Sequence, residues 1–193
     1  MYQNNLTDRL RGSIHAKQVL MADDSTLGIF EAAVNRVIDS YRSGGRLYVA
    51  GNGGSAADSQ HLVAEFVSKL SFDRNPLPAE ALTVDTSVLT AIGNDYGFQY
   101  VFSRQLSAKA GLQDIFLGIT TSGNSPNIIE ALRVCRQKGI PSLLFTGFDG
   151  GYCRELANYP ICVPGDDTAT IQELHIVLAH ALCGCVEMAL FAK

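Results

Sequence analysis

The chain has 193 residues, of which 47% are hydrophobic and 18% charged, enough for one compact domain with a substantial core. Its 15 basic and 19 acidic residues give a formal charge of −4 without a Lys/Arg cluster, so we expect no nucleic-acid partner. The N-terminal residues carry charges where a signal peptide needs an apolar core, and the five cysteines show no C-x-x-C spacing. We therefore expect a cytoplasmic protein without a membrane segment.

Helical periodicity marks the first forty residues. Leucine or isoleucine recurs at positions 6, 10 and 14, and a second apolar pattern runs over 27–38. Gly44 and Gly45 then supply the residues that commonly end a helix. We predict a helical extension over about residues 1–42, within a single domain that spans residues 1–193.

Five short apolar runs follow, each bounded by Gly, Pro, Asn or Asp. They lack strict alternation of apolar and polar residues, which indicates strands buried on both faces of a sheet. Helical segments separate the runs, and this alternation predicts right-handed crossovers and a parallel sheet. The runs are 46–50, 81–84, 115–120, 141–146 and 159–163, and a long apolar helix of about 168–192 ends the chain.

Two loops are expected at the carboxyl ends of these strands, where parallel sheets bind ligands. The first, GNGGS, follows the first strand, and the second, TTSGNS, follows the third. In the second loop Ser125 can cap a helix that begins at Pro126. Its hydroxyl groups, on Thr120, Thr121, Ser122 and Ser125, would surround an anion such as phosphate. A turn that merely caps a helix explains the same residues and stays an alternative.

The first loop also fits the dinucleotide pattern G-x-G-x-x-G/A, through Gly51, Gly53 and Ala56. That pattern requires a strand ending in an acidic residue about 20 positions later, to hold a ribose. Asp73 has the right position, but helical spacing continues to Leu70 and leaves no room for a strand. We therefore reject a dinucleotide site.

A polar stripe follows on the helix that begins at Ser55. Asp58, His61, Glu65 and Lys69 recur at three- and four-residue spacing and share one face. A solvated ion pair would explain this stripe if the face met only water. The helix begins at the predicted ligand crevice, however, so a site that performs chemistry is also expected from these residues.

The last helix supplies further polar residues in apolar surroundings. Gln172 and His180 lie about 80° apart around the helix, so both can edge one cavity, whereas His175 lies about 140° from His180. The two histidines cannot share a small site on a straight helix, and one of them is expected to be structural. Together with His61 and Glu65, Gln172 and His180 would form a four-ligand site for a divalent metal, although spacing alone leaves this open.

Six segments together resemble the sugar isomerase (SIS) domain family and, within it, the phosphoheptose isomerases. In the family's order they are GNGGSAADSQHLVAEFV, TAIGNDYGF, FSRQL, TSGNSPNI, TGFDGG and IQELHIVLAH, and the resemblance covers nearly the whole chain. It implies an α/β three-layer sandwich with a five-stranded parallel, flavodoxin-like sheet.

The resemblance also implies site residues. The implied metal ligands are His61, Glu65, Gln172 and His180, which would hold one Zn²⁺ per subunit. The implied substrate contacts are Asn52, Gly53, Gly54, Ser55, Asn94, Asp95, Thr120, Thr121, Ser122, Ser125 and Gln172. Lys69 and Thr170 stand where the family has an arginine and a basic residue, and we expect these departures to affect phosphate binding.

The implied activity is conversion of sedoheptulose 7-phosphate to D-glycero-D-manno-heptose 7-phosphate through an enediol, the first step of heptose synthesis for surface glycans such as lipopolysaccharide. Our hypothesis makes Glu65 the base on carbon and His180 its acid–base partner on oxygen. The family also implies a homotetramer with active sites at subunit interfaces. Two alternatives remain: a non-catalytic SIS protein that binds a sugar phosphate or a replication initiator, and an isomerase of another phosphosugar.

Overall fold

The computed structural model describes residues 2–192, and within them the chain forms eight α-helices and five β-strands. The strands are β1 (Leu47–Gly51), β2 (Ala79–Ala81), β3 (Ile115–Thr120), β4 (Ser142–Gly147) and β5 (Tyr159–Val163). The helices are α1 (Tyr2–Met21), α2 (Asp24–Arg42), α3 (Gly54–Val67), α4 (Thr86–Asp95), α5 (Ser103–Lys109), α6 (Pro126–Lys138), α7 (Gly151–Leu156) and α8 (Thr168–Phe191). A short 3-10 helix, Phe98–Tyr100, lies between α4 and α5.

All neighbouring strands are parallel, in the order β2-β1-β3-β4-β5. This is the strand order of flavodoxin-like sheets, and it confirms the predicted fold class. The chain leaves β1 for the edge strand β2 and returns past β1 to form β3, so the direction of winding reverses between β1 and β3. Ligands bind in such sheets beyond the carboxyl ends of the two strands at this reversal.

Helices cover both faces of the sheet and complete three layers. Along β1, Leu47 and Val49 pack into the core formed with α2, α3 and α8, whereas Tyr48 and Ala50 pack into the core formed with α5 and α6. Every residue of β1, β3 and β4 is buried. Burial on both faces explains why these strands show no alternation of apolar and polar residues.

The predicted strand at 81–84 is displaced from the observed one. Strand β2 consists of Ala79–Ala81, which pair with residues 47–49 of β1, and a turn follows at Leu82. Because β2 is an edge strand with one neighbour, it accepts a half-buried charged residue, Glu80, in its centre. A search for runs buried on both faces therefore selects the wrong residues at this position.

The polar stripe predicted on α3 also ends early. The helix stops at Val67, so Lys69 lies beyond it and does not share the helical face of His61 and Glu65. Ser68, with φ −91° and ψ −97°, leaves the helical conformation while its N–H still bonds the carbonyl of Ala64 at 2.8 Å. Carbonyl oxygens of the last turn accept hydrogen bonds from the side chain of Arg74, which comes later in the chain. The apolar periodicity of α3 alone does not predict this contact.

Helix α1 turns its largest apolar side chains away from the core. Leu6, Leu10 and Ile14 are 60%, 54% and 55% exposed, whereas Ala16 and Leu20 are buried. The periodicity correctly predicts a helix, but the apolar stripe that reveals it is not the face that packs on the domain. The stripe is therefore available to another molecule.

Helix α8 is long and rich in apolar residues. Its 24 residues meet the length and composition criteria for a membrane span. The helix contacts β4 and β5, and Ile171, Leu174 and Leu182 are buried against the sheet. Core helices of this kind pass the same criteria, so burial in the domain explains the hydropathy of α8.

Candidate active site

The turn from β1 into α3 forms one side of the crevice. Gly53 has φ +55°, in the region that favours glycine, and it precedes a helix that begins at Gly54 rather than at the expected Ser55. A Cβ on residue 54 would lie 2.4 Å from Nε2 of Gln172. A larger residue at position 54 would therefore displace the Gln172 amide from its place at the cavity.

A reciprocal pair of amide hydrogen bonds joins this turn to the next loop. Asn52 Nδ2 donates to Asn127 Oδ1 at 2.9 Å, and Asn127 Nδ2 donates to Asn52 Oδ1 at 2.8 Å. Part of the hydrogen-bonding capacity of Asn52 therefore holds the two loops together. Buried Asn127 is absent from the predicted site residues, because a polar residue in the first turn of a helix gives no distinctive signal.

The loop from β3 into α6 carries the predicted hydroxyl groups. Ser125 stands at the N-cap of α6 and Pro126 begins the helix, as predicted. The Ser125 hydroxyl makes no capping bond and instead lies 2.9 Å from Thr120 Oγ1. Thr120 is buried, Thr121 is half-buried and Ser122 is exposed. The hydroxyl groups of the loop therefore extend from the core to the surface.

A cavity of about 290 Å³ lies between the two loops and the start of α8. Its lining consists of Asn52, Gly53, Gly54, Ser55, Ile119, Thr120, Thr121, Ser125, Thr168 and Gln172. All but Ile119 and Thr168 belong to the predicted substrate contacts. The sequence places these two residues at the end of a strand and at the start of a helix, but no motif marks them as contacts. The lining offers hydroxyl, amide and backbone N–H donors, which suit an anion such as phosphate.

Three side chains converge about 10 Å farther along α3, where it runs beside α8. His61 Nε2 lies 3.0 Å from His180 Nε2 and 3.4 Å from Glu65 Oε1. The three potential ligand atoms all lie within 4.8 Å of one another. Both histidines are exposed and Glu65 is half-buried, so a ligand can approach the group from outside.

The donor atoms of this group suit a divalent metal ion. Two imidazole nitrogens and a carboxylate oxygen form a donor set that Zn²⁺ prefers. Two nitrogens bound to one tetrahedral zinc at the usual bond length lie about 3.3 Å apart, close to the separation of His61 and His180. The chemistry and spacing of these three residues therefore fit the predicted metal.

Gln172, the fourth predicted ligand, lies two helical turns before His180 on α8, about 12 Å along the helix axis. Its amide is packed over Gly54 and lines the cavity. This position suits contact with a substrate that extends from the cavity toward the histidines. A role for Gln172 as a metal ligand stays a prediction.

His175 is the structural histidine of α8. It is buried, and its ring centroid lies 6.2 Å from that of Phe145 on β4. Burial lowers the pKa of His175 to about 4, because the imidazolium ion loses its hydration. Neither ring nitrogen has a hydrogen-bond partner within residues 2–192.

The remaining predicted residues lie elsewhere. Asn94 and Asp95 are exposed at the end of α4, where Asn94 Nδ2 donates to Asp95 Oδ1 at 2.8 Å, and they are not among the residues that line the cavity. Lys69 is exposed beyond α3, and the N–H of Thr170 donates to Asp167, the N-cap of α8. The roles of these residues in substrate binding stay predictions.

Comparison with known proteins identifies the family to which the chain is similar. The SIS domain family matches residues 16–147. A phosphoheptose isomerase from Aneurinibacillus thermoaerophilus is 49% identical over 186 residues, which cover 96% of this chain and 94% of the relative.

Solved structures give the same result. A phosphoheptose isomerase from Neisseria gonorrhoeae superposes with a TM-score of 0.89 at 39% identity, over 97% of this chain and 99% of that one. A phosphoheptose isomerase from Francisella tularensis superposes with a TM-score of 0.92 at 32% identity, with the same coverage. The chain belongs to the SIS domain family and, within it, to the phosphoheptose isomerases.

Proposed function

We propose that this chain is an aldose–ketose isomerase that converts sedoheptulose 7-phosphate to D-glycero-D-manno-heptose 7-phosphate. The convergence of His61, Glu65 and His180 within 4.8 Å, beside a cavity that suits phosphate, carries the proposal. The names of its relatives support the same activity. A protein that only bound a sugar phosphate would need the cavity but not this group of acid–base side chains.

The reaction moves protons without net gain or loss of electrons. A base removes a proton from C1 of the ketose and delivers a proton to C2 of the enediol. A second proton passes from the C1 oxygen to the C2 oxygen, so the carbonyl moves from C2 to C1. The site must therefore supply one base for carbon and one acid–base group for oxygen.

Glu65 is the proposed base on carbon. Its side chain is 20% exposed, so the carboxylate is partly shielded from water but reachable from the crevice. A carboxylate held beside C1 and C2 can take a proton from one carbon and deliver a proton to the other. Holding the base and both carbons in one geometry lowers the entropic part of the barrier.

His180 is the proposed acid–base group on oxygen. Its Nε2 lies on the same small surface as Glu65 and His61, so it can face the O1 and O2 side of an enediol whose carbons face Glu65. Imidazole suits this role because it donates and accepts protons near neutral pH. Glu65 and His180 come from different helices, and packing of α3 against α8 brings them together.

The phosphate of the substrate is proposed to bind in the cavity of Thr120, Thr121 and Ser125, with the N-terminus of α6 adding a favourable dipole. Binding at this end, away from the reacting carbons, anchors C1 and C2 beside Glu65. Lys69 and Thr170 supply no charge to this cavity. The hydroxyl and amide donors therefore carry the phosphate contact in this proposal.

One Zn²⁺ per subunit is proposed at His61, Glu65 and His180, with Gln172 as the fourth ligand. A bound Zn²⁺ would supply a Lewis acid that polarises the carbonyl oxygen and favours the enediolate. The support is the donor set itself, two imidazoles and a carboxylate with their atoms within 4.8 Å.

We also propose a homotetramer of single-domain subunits, residues 1–193, in the cytoplasm, with active sites at subunit interfaces. The exposed stripe of Leu6, Leu10 and Ile14 on α1 supports association, since it would otherwise leave apolar surface in water. The open position of His61 and His180 leaves room for a neighbouring subunit. Sedimentation at a mass of one 20.8 kDa chain would contradict this proposal.

A panel of ketose phosphates tests the function. Wild-type protein should convert sedoheptulose 7-phosphate with a higher kcat/KM than pentulose or hexulose phosphates. Faster turnover of a five- or six-carbon ketose would identify an isomerase of another phosphosugar. Tight binding of sugar phosphates without turnover would identify a binding module, and either outcome would overturn the proposal.

A further inference from the structure

Arg74 and Glu187 form a buried ion pair between the segment after α3 and the end of α8. Arg74 Nε donates to Glu187 Oε1 at 3.0 Å, and both side chains are 1% exposed. Desolvation of two charges opposes folding, and apolar side chains of similar volume often give equal or greater stability. Stability alone therefore does not explain a pair of charges at this position.

The guanidinium of Arg74 holds the last turn of α3. Its Nη2 donates to the carbonyl oxygen of Glu65 at 2.8 Å, and its Nη1 donates to the carbonyl oxygen of Phe66 at 2.7 Å. Carbonyls in the last turn of a helix have no partner within the helix, and a positive charge there is favoured by the helix dipole. One side chain thus fixes the backbone of Glu65 itself.

Glu187 holds the other side of the pair. Its Oε1 accepts from the N–H of Leu70 at 3.2 Å, and its Oε2 accepts from the N–H of Ser71 at 2.9 Å. Glu187 lies seven residues after His180, two turns along α8, so both residues are on the same face of that helix. Both sides of the pair are therefore anchored by several bonds and not by the ion pair alone.

The contacts run in one line from Glu65 to the helix of His180. Arg74 donates a hydrogen bond to the carbonyl oxygen of Glu65 and forms an ion pair with Glu187. Glu187 in turn lies on the same face of α8 as His180. We infer that Arg74 and Glu187 are positioning residues that hold Glu65 and His61 at the working distance from His180. The inference rests on the isomerase site proposed above, and neither residue touches the reacting atoms.

A double variant separates positioning from stability. Arg74→Met with Glu187→Leu replaces both charges with apolar side chains, so that neither charge is left buried without its partner. The control is Lys109→Met with Glu80→Leu, which removes a partly exposed ion pair of 2.6 Å between α5 and β2. Melting temperatures of both variants are measured first, so that kinetics are compared between folded proteins.

Kinetics give the first readout. We expect the Arg74/Glu187 variant to lose about 100-fold in kcat, the effect of a misplacement near 1 Å. KM should change little, because the phosphate cavity lies at the first turns of α3 and α8, whereas Arg74 and Glu187 hold the last turn of α3 and the far part of α8. The Lys109/Glu80 control should keep the wild-type kcat. A folded Arg74/Glu187 variant with wild-type kcat would overturn the inference and leave the isomerase proposal standing.

The contact between two histidine rings gives a readout that needs no activity. With ¹³C in the Cε1 position of the chain's four histidines, the wild-type protein should show a nuclear Overhauser effect between the Hε1 protons of His61 and His180. The double variant should lose this cross-peak, and the control should keep it. Its retention in the double variant would overturn the inference even if the wild-type protein proved not to be an isomerase.

Arg74→Lys provides a second variant if the double one does not fold. Lysine keeps the positive charge beside Glu187. Its single ammonium group cannot reproduce the two guanidinium hydrogen bonds to the carbonyl oxygens of Glu65 and Phe66. We expect a folded protein with a weakened His61–His180 cross-peak and at least tenfold lower kcat. An unchanged cross-peak together with wild-type kcat would contradict the positioning role.

Discussion

The Nε2 atom of His61 lies 3.0 Å from the Nε2 atom of His180, with the ring planes tilted by 60°. Two imidazole nitrogens at this distance require a single proton or a cation between them, because two lone pairs or two N–H groups would repel. Glu65 Oε1, 3.4 Å from His61 Nε2, adds negative charge at the same point. The arrangement thus favours a positive group at the position where the proposed chemistry needs one.

Replacement of Glu65 by Gln should lower kcat by about two to four orders of magnitude, because the amide cannot accept a proton from C1. The variant keeps the shape of the side chain, so its melting curve should match that of the wild-type protein. Glu31→Gln on the exposed face of α2 is the matched control and should keep full activity. Near-wild-type turnover in Glu65→Gln would refute its role as the base.

His61→Ala should abolish zinc binding. Elemental analysis of protein purified without chelator should give about one zinc per wild-type subunit and close to none in the variant, since removal of one of few ligands greatly weakens a metal site. His15→Ala, on the exposed side of α1, should retain zinc. Equal zinc contents in the two variants would show that the metal lies elsewhere.

Ser125→Ala should weaken substrate binding more than chemistry. The hydroxyl at the N-cap of α6 is proposed to donate to the phosphate, and a hydrogen bond to a charged group is worth about 1.5–3 kcal/mol. We expect KM to rise about tenfold or more while kcat changes little. Ser107→Ala on α5 is the control, and a KM unchanged in both variants would place the phosphate outside this cavity.

His175 should make the folded state sensitive to moderate acid. Burial lowers its folded-state pKa to about 4, so between pH 6.5 and pH 4 the unfolded chain binds a proton that the folded chain excludes. The free energy of unfolding should therefore decrease as the pH falls through this window, by about 3 kcal/mol in total. Above pH 6.5 this contribution is constant.

Denaturant unfolding at several pH values, with chelator present, measures the effect. His175→Leu removes the buried imidazole and its two unpaired nitrogens, so its stability should fall less with acid than that of the wild-type protein. His15→Leu, which replaces an exposed histidine, should retain the wild-type slope. Parallel curves for His175→Leu and the wild-type protein would contradict the pKa shift.

Features that depend on local sequence or on the general geometry of parallel sheets could be predicted. Strands β1, β3 and β4 are buried on both faces, and their apolar runs indicate this directly. The two loops could be placed because every parallel strand ends at the same edge of the sheet. The α-helical angle also predicts that His175 and His180 diverge, but the packing of His175 against Phe145 on β4 decides which one is structural.

Features set by distant contacts could not be predicted. The end of α3 depends on the guanidinium of Arg74, and the small residue at position 54 leaves space for the amide of Gln172, more than a hundred residues later. The role of Asn127 depends on its pairing with Asn52 across two loops. The residues next to each of these positions contain no motif that predicts its role. The role follows only from the packing of α3, α6 and α8.

Proton exchange with solvent tests the central claim most directly. Sedoheptulose 7-phosphate incubated with the wild-type protein in D₂O and followed by ¹H and ¹³C NMR should yield the aldoheptose 7-phosphate with deuterium at C2, because the proton held on Glu65 exchanges with water before it is returned. Glu65→Gln should yield no labelled aldose over the same time. A ketose spectrum that stays unchanged with the wild-type protein would contradict the enediol isomerase.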